Sequence, residues 1–184
     1  MTCEAVLEEN ALRTQSVARI IDLPGVWHLL HTKSRQEKVL SDNLLAMGIP
    51  HYLPLVTVSR RYGGRKSSAE LPLFPGYVFL KGTLDQAYAA DRTKRIAQII
   101  PIVDQKQITW EIRNLAMALS SERVLDPYPY LVRGVRVEVR AGPLRGLQGI
   151  VESRAKRDRL ILQVEALGQA TSLEIDGALL EPIE

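Results

Sequence analysis

Leu71-Pro72-Leu73-Phe74-Pro75-Gly76-Tyr77-Val78-Phe79-Leu80 reads as an apolar, aromatic strand interrupted by two prolines. Those prolines fix where sheet pairing starts. Proline donates no backbone hydrogen bond, so Pro72 and Pro75 fit only at a strand start, an edge or a bulge. The ladder is therefore expected from about Gly76 onward. Side chains alternate along it, which sets Tyr77 and Phe79 on one face of a sheet and Val78 and Leu80 on the other. One face is left for core and the other for an aromatic surface, with Phe74 falling opposite Tyr77 and Phe79.

Outward from this run the pattern of a small α/β domain emerges. Val26 to Thr32 alternates as a strand, with Trp27, Leu29 and His31 on one face and Val26, His28 and Leu30 on the other. Ser34 and Glu37 stand in capping-box spacing, and Val39, Leu40, Leu44 and Met47 make an apolar helical stripe. Gly48, Ile49 and Pro50 then write a helix C-terminus, since glycine accepts the left-handed position and proline prevents continuation. Tyr52 to Arg61 is strand-like, Gly63-Gly64 turns the chain, and Glu70 to Gly82 returns as the second arm. A helix from Thr83 to about Thr93, a strand from Ile96 to Val103 and a helix from Ile108 to Leu119 follow, the last carrying its stripe on Ile108, Ile112, Leu115 and Leu119. A sheet covered by helices follows from this order of elements.

The chain changes character near residue 125. Asp126-Pro127-Tyr128-Pro129-Tyr130 is a poor helix and a poor strand, as expected of a linker. Beyond it Val135, Val137 and Val139 alternate with charged residues, Gly142-Pro143 turns, and Leu160 to Val164 and Ser172 to Ile175 supply further strands. Gly149 stands where a close-packed barrel needs a residue without a side chain. A five-stranded barrel fits these residues. The expected organisation is an extension over 1–25, a first domain over 26–121, a linker over 122–130 and a second domain over 131–184.

The net charge of +3 hides an asymmetry, for residues 26–121 hold 13 Lys and Arg against 7 Asp and Glu while residues 131–184 balance at 8 and 8. Excess positive charge on the first domain would attract a polyanion. Cys3 is the only cysteine, so no intrachain disulfide forms and a reducing, cytoplasmic setting is expected. No apolar run approaches the roughly 18 residues that span a bilayer. The three histidines, at 28, 31 and 51, are scattered, and no phosphate loop or metal-ligand cluster appears, so neither an enzyme nor a cofactor is expected.

The Phe74-Pro75-Gly76-Tyr77-Val78 segment resembles one in the amino-terminal domain of the NusG family of transcription elongation factors. Gly142-Pro143-Leu144-Arg145-Gly146-Leu147-Gln148-Gly149-Ile150-Val151, preceded by Val135 to Val139, resembles the KOW motif of the same family. The two come in the family's order, and the likeness spans residues 26–184, pointing to a specialised paralogue of the RfaH or UpxY kind. It implies an α+β fold, an RRM-like α/β sandwich (the NGN domain) followed by a small SH3-like five-stranded β-barrel (the KOW domain). It further implies a monomeric transcription antitermination or elongation factor. Its polymerase-binding pocket, for the clamp helices of bacterial RNA polymerase, would comprise Leu29, His31, Phe74, Tyr77 and Phe79. Non-template DNA in the transcription bubble would meet the hairpin tip, Arg60, Arg61, Tyr62, Arg65 and Lys66, together with Lys33, Arg35, Arg92, Lys94 and Arg95. Leu167 and Gln169 would serve the KOW domain's partner, a ribosomal small-subunit protein or Rho; Leu167 stands where general NusG proteins present phenylalanine.

A competing assignment is a ribosome-associated RNA-binding protein built from RRM-like and KOW modules. An RRM has the same element order and stacks bases on aromatics of its open face. Its motif, however, needs a basic residue before the glycine and aromatics on the first strand, whereas Pro75 precedes Gly76 here.

Overall fold

A computed structural model describes residues 17–62, 65–121, 125–128, 134–154 and 157–183; the side chains of 59–62, 65–67, 126–128, 153, 154, 157 and 158 lie outside that description. Residues 17–21 are helical. Contacts divide the chain into two compact units, one from Arg19 to Gln105 and one that includes Lys106 to Glu184. The division falls ahead of the last helix of the expected first domain rather than after it.

The first unit keeps the expected succession of strands and helices but splits both hairpin arms: β1 (Val26–Thr32), α1 (Glu37–Ala46), β2 (His51–Tyr52), β3 (Leu55–Tyr62), β4 (Arg65–Pro72), β5 (Tyr77–Gly82), α2 (Leu84–Asp91) and β6 (Ile96–Pro101). Its sheet runs β2-β5-β1-β6, antiparallel throughout. One core cluster lies on the face opposite the aromatics. Leu30, Val78 and Leu80 from the sheet meet Leu40 and Leu44 of α1, Ala87 and Ala90 of α2, and Ile49 and Ile96. Fully burying one such aliphatic side chain stabilises a fold by about 1.5–3 kcal/mol, so this cluster explains why α1 and α2 share one side of the sheet.

The prolines divide the expected second arm in two. β4 ends at Pro72 and pairs with β3 in a separate two-stranded ribbon, whereas β5 belongs to the main sheet. Between them Tyr77 N–H donates to the Phe74 carbonyl at 3.3 Å, and Gly76 has φ +87°. Proline at the second position and a left-handed glycine at the third are what a type II turn requires. Strand alternation therefore does not extend back to Phe74, which is buried by the turn and not by its place in a ladder.

Helix α1 shows one expected end and one altered end. At its C-terminus Gly48, with φ +65°, donates to Leu45 O at 3.0 Å and Ile49 N–H to Leu44 O at 2.9 Å, a Schellman closure with Ile49 buried. At the start the Ser34–Glu37 capping box does not form. Gln36 is the N-cap, without a side-chain capping bond, and the Glu37 carboxylate is used elsewhere. The capping box of this unit belongs to α2, where Thr83 and Gln86 satisfy each other's backbone.

The second unit contains most of α3 (Gln105–Ser120), then β7 (Asp126–Tyr128), β8 (Val135–Val139), β9 (Gln148–Arg154), β10 (Arg157–Val164), β11 (Gln169–Ile175) and β12 (Leu180–Pro182). Instead of a closed five-stranded barrel, the described strands form an open six-stranded sheet, β12-β8-β9-β10-β11-β7. The extra strand comes from the expected linker, since Asp126 to Tyr128 pair with β11. Proline is tolerated there because β7 is an edge. Val137, Val139, Leu147, Leu160 and Ile161 are buried, and Val135 is exposed. A Cβ on Gly149 would stand 2.6 Å from the Ile161 carbonyl oxygen, so the position admits only glycine. No helix among the described residues is long and apolar enough to cross a membrane.

Candidate functional site

The register of the first unit builds an aromatic face row by row. Trp27 lies opposite Lys81, Leu29 opposite Phe79, and His31 opposite Tyr77. On the outer side of β5, Tyr52 pairs with Phe79, their rings stacked at 6.4 Å. His31 and Tyr77 stack at 5.1 Å between centroids. Lys81 holds its ammonium 5.3 Å over the Trp27 ring, and burial pushes its pKa down. A cation over an indole contributes about 0.5–2 kcal/mol, more as water is excluded from it.

Burial grades this face. Leu29 and Phe79 are 0% exposed and Phe74 2%, whereas His31 and Tyr77 are half-buried. The five residues expected to form one open pocket thus divide into three buried side chains and one accessible stacked pair.

The Gly76 turn is tied down from two sides. Thr32 N–H donates to the Gly76 carbonyl at 2.8 Å, and Gly76 N–H donates to Glu37 Oε1 at 2.6 Å. Glu37 is 7% exposed, so its carboxylate spans from the first turn of α1 to the turn that precedes Tyr77. Glu37→Ala would strand a part-buried N–H, costing about 1–3 kcal/mol, and loosen the His31–Tyr77 pair. Glu37→Gln keeps an acceptor oxygen and is expected to recover most of that stability in chemical denaturation.

The basic residues Lys33 and Arg35 and the basic residues Arg92, Lys94 and Arg95, separate in the sequence, meet at this same end of the sheet. Lys33 N–H donates to the Arg95 carbonyl at 2.8 Å, and the Arg95 guanidinium donates to Gln36 Oε1. Thr32 of β1 lies opposite Ile96 of β6, which fixes the approach of the two loops. Lys33, Arg35, Arg92 and Lys94 are exposed and Arg95 is half-buried. Arg35 and Lys94 both have φ of 58° and are the only non-glycine residues with positive φ among those described. A left-handed conformation costs a side-chain-bearing residue roughly 1–2 kcal/mol, and here two cations bear that strain at one edge.

Nothing in the sequence pattern announced this junction. Gln36 and Arg95 are 59 positions apart and Glu37 and Gly76 are 39 apart, so no local period links them. The hairpin residues fall differently: Arg60, Arg61, Tyr62, Arg65 and Lys66 continue the β3–β4 ribbon, with Tyr62 opposite Arg65. Gly63 and Gly64, expected to turn the chain, lie outside the described residues, as do the side chains of those five.

In the second unit, Glu165 to Leu167 form a 3₁₀ turn closed by Gly168 at φ 59°. Leu167 and Gln169 are both half-buried beside it. Arg159 of β10 is engaged, donating to Ser172 Oγ at 3.2 Å and facing Glu174 at 3.8 Å.

Two histidines support the first unit from within. His51 Nδ1 lies 2.9 Å from the Ile49 carbonyl, which can only accept, so that nitrogen carries the proton. Nε2 then accepts from Ser41 Oγ at 2.7 Å. Burial lowers the His51 pKa, against smaller raising effects of Ile49 and Asp42, and burial likewise lowers that of His28. Both stay neutral in the folded protein where the unfolded chain takes up protons. Their contribution to stability is therefore present above about pH 6.5, the ordinary histidine value, and lost as pH falls below it. The melting temperature is expected to drop between pH 7 and pH 5, and His51→Gln should flatten that slope.

No curated protein matches the chain. A family model described as transcription termination factor NusG matches residues 25–118, from the start of β1 through nearly all of α3. With the match covering half of the chain, and the Phe-Pro-Gly-Tyr turn, the aromatic rows and the four-stranded sheet all inside it, the chain belongs to the NusG family.

Proposed function

We propose that this protein is a transcription elongation factor of the antitermination type, a specialised paralogue of the RfaH or UpxY kind. It would bind bacterial RNA polymerase at the clamp helices through its aromatic face. The observation that carries this reading is the stacked His31–Tyr77 pair, half-buried in the row next to buried Leu29 and Phe79 and braced by Glu37 through Gly76. Aromatic side chains on a rigid floor present large contact area at low entropic cost, the composition of an interface hot spot. Membership of a family whose members bind the polymerase supports it.

Non-template DNA would run along the adjoining basic edge, Lys33, Arg35, Arg92, Lys94 and Arg95, and onto the β3–β4 ribbon through Arg60, Arg61, Tyr62, Arg65 and Lys66. Strain concentrated at Arg35 and Lys94 is consistent with a surface shaped for a ligand rather than for stability. The C-terminal unit would act as a KOW domain, recruiting a ribosomal small-subunit protein or Rho around Leu167 and Gln169. The protein would work as a cytoplasmic monomer without catalysis of its own, holding the polymerase clamp closed by population shift.

Capture of core RNA polymerase by the purified chain, at low and moderate salt, tests the reading. Binding is expected at both, and none at either would sink it. For the basic edge, the triple variant Lys33→Glu, Arg35→Glu, Lys94→Glu should weaken binding to a bubble-containing DNA. Each lost single-strand phosphate contact flattens the plot of log affinity against log salt by roughly 0.7, so a slope reduced by about 2 is expected.

A further inference from the structure

We propose that the cleft between α3 and the strands β8 to β10 binds an extended basic peptide, with Asn114 reading a main-chain carbonyl and Trp110 carrying a Lys or Arg side chain. The cleft has a volume of about 260 Å³ and lies entirely within the second unit; the proposal does not depend on the polymerase reading.

Trp110 and Asn114 are four residues apart on α3, so they stand on one helix face a turn apart. Both are fixed by one partner. The Trp110 indole N–H donates to Gln148 Oε1 at 3.1 Å, and Gln148 N–H donates to Asn114 Oδ1 at 3.2 Å. The second bond settles which way the Asn114 amide faces, because a backbone N–H needs the oxygen. Its Nδ2 is therefore the remaining donor, and it has no acceptor although Asn114 is only 6% exposed. Gln163 Nε2, on β10 in the same cleft, is unpaired as well. A buried donor without a partner is an energetic liability that an arriving carbonyl would remove, and peptide main chain supplies carbonyls at regular spacing.

Charge selects the side chain. The buried Glu111 carboxylate accepts from Gln107 Nε2 at 2.9 Å and from Glu165 N–H at 3.1 Å, and Glu165 itself is exposed at the same cleft. Arg136 is the one cationic side chain among the lining residues. The lining thus sets two carboxylates against one guanidinium, a local balance that favours a cation. The indole with Ile150 and Leu162 offers apolar wall for an aliphatic stem, while the carboxylates take the charged head.

The test is fluorescence anisotropy of the full chain with a labelled Gly-Ser-Arg-Lys-Arg-Ser-Gly peptide, with the same peptide carrying three glutamates, and with an octauridine oligonucleotide. Saturable binding of the basic peptide alone is expected, weakened at least tenfold by Glu165→Lys, an exposed change the fold should tolerate, and by Asn114→Leu. Titration followed by the Trp110 indole N–H resonance should report the same affinity. Equal binding by wild type and both variants, or no saturation at millimolar peptide, overturns the proposal. Octauridine binding lost in the same two variants would overturn it in favour of an RNA cleft.

Discussion

Leu80→Ala is expected to destabilise the first unit by about 3 kcal/mol, within the 2–5 kcal/mol of buried leucine truncations. Leu80 is 0% exposed and belongs to a cluster that includes side chains of both α1 and α2 as well as the sheet. Its removal leaves a cavity lined by elements whose positions are already set by other contacts, so collapse is limited and the cost falls toward the middle of that range. Domains are stable by only 5–15 kcal/mol, which makes this loss a large fraction of the total. Urea unfolding should show a lower midpoint with an unchanged slope. A loss under 1 kcal/mol would show that the cluster does not hold the unit together.

Tyr77→Ala should weaken polymerase binding by about 30-fold or more, since aromatic hot spots contribute 2 kcal/mol or more and 1.4 kcal/mol is tenfold. The ring is half-exposed and stacked on His31, so truncation removes contact area and frees its neighbour without opening the helix-side core. Stability should change far less than for Leu80→Ala. Tyr77→Phe keeps the stack and is expected to retain most of the affinity. Equal loss in the phenylalanine variant would shift the contact from the ring to the hydroxyl.

How legible this was in the sequence depended on range. The end of α1 was written locally, in Gly48 and Ile49, and the alternation of Trp27, Leu29 and His31 was read correctly because strand geometry needs only neighbours. Phe74 shows the limit, because alternation was extended through Pro75-Gly76, where the chain turns rather than runs straight. Glu37 shows another, since its capping-box spacing was satisfied on paper while a backbone N–H 39 residues away took the carboxylate. Asp126 and Pro127 lack strand propensity, yet Asp126 to Tyr128 form an edge strand by pairing with the backbone of β11. The basic junction and the Trp110–Asn114–Gln148 network depend on contacts between elements, which composition and period do not encode.

The most direct test of the polymerase reading is to replace Tyr77 with a photo-crosslinking phenylalanine derivative and irradiate the protein on a paused elongation complex. A crosslink to the clamp helices of RNA polymerase, suppressed by excess wild-type chain, is the predicted result. A crosslink at that position to RNA, or to no component of the complex while the protein is bound, would contradict it.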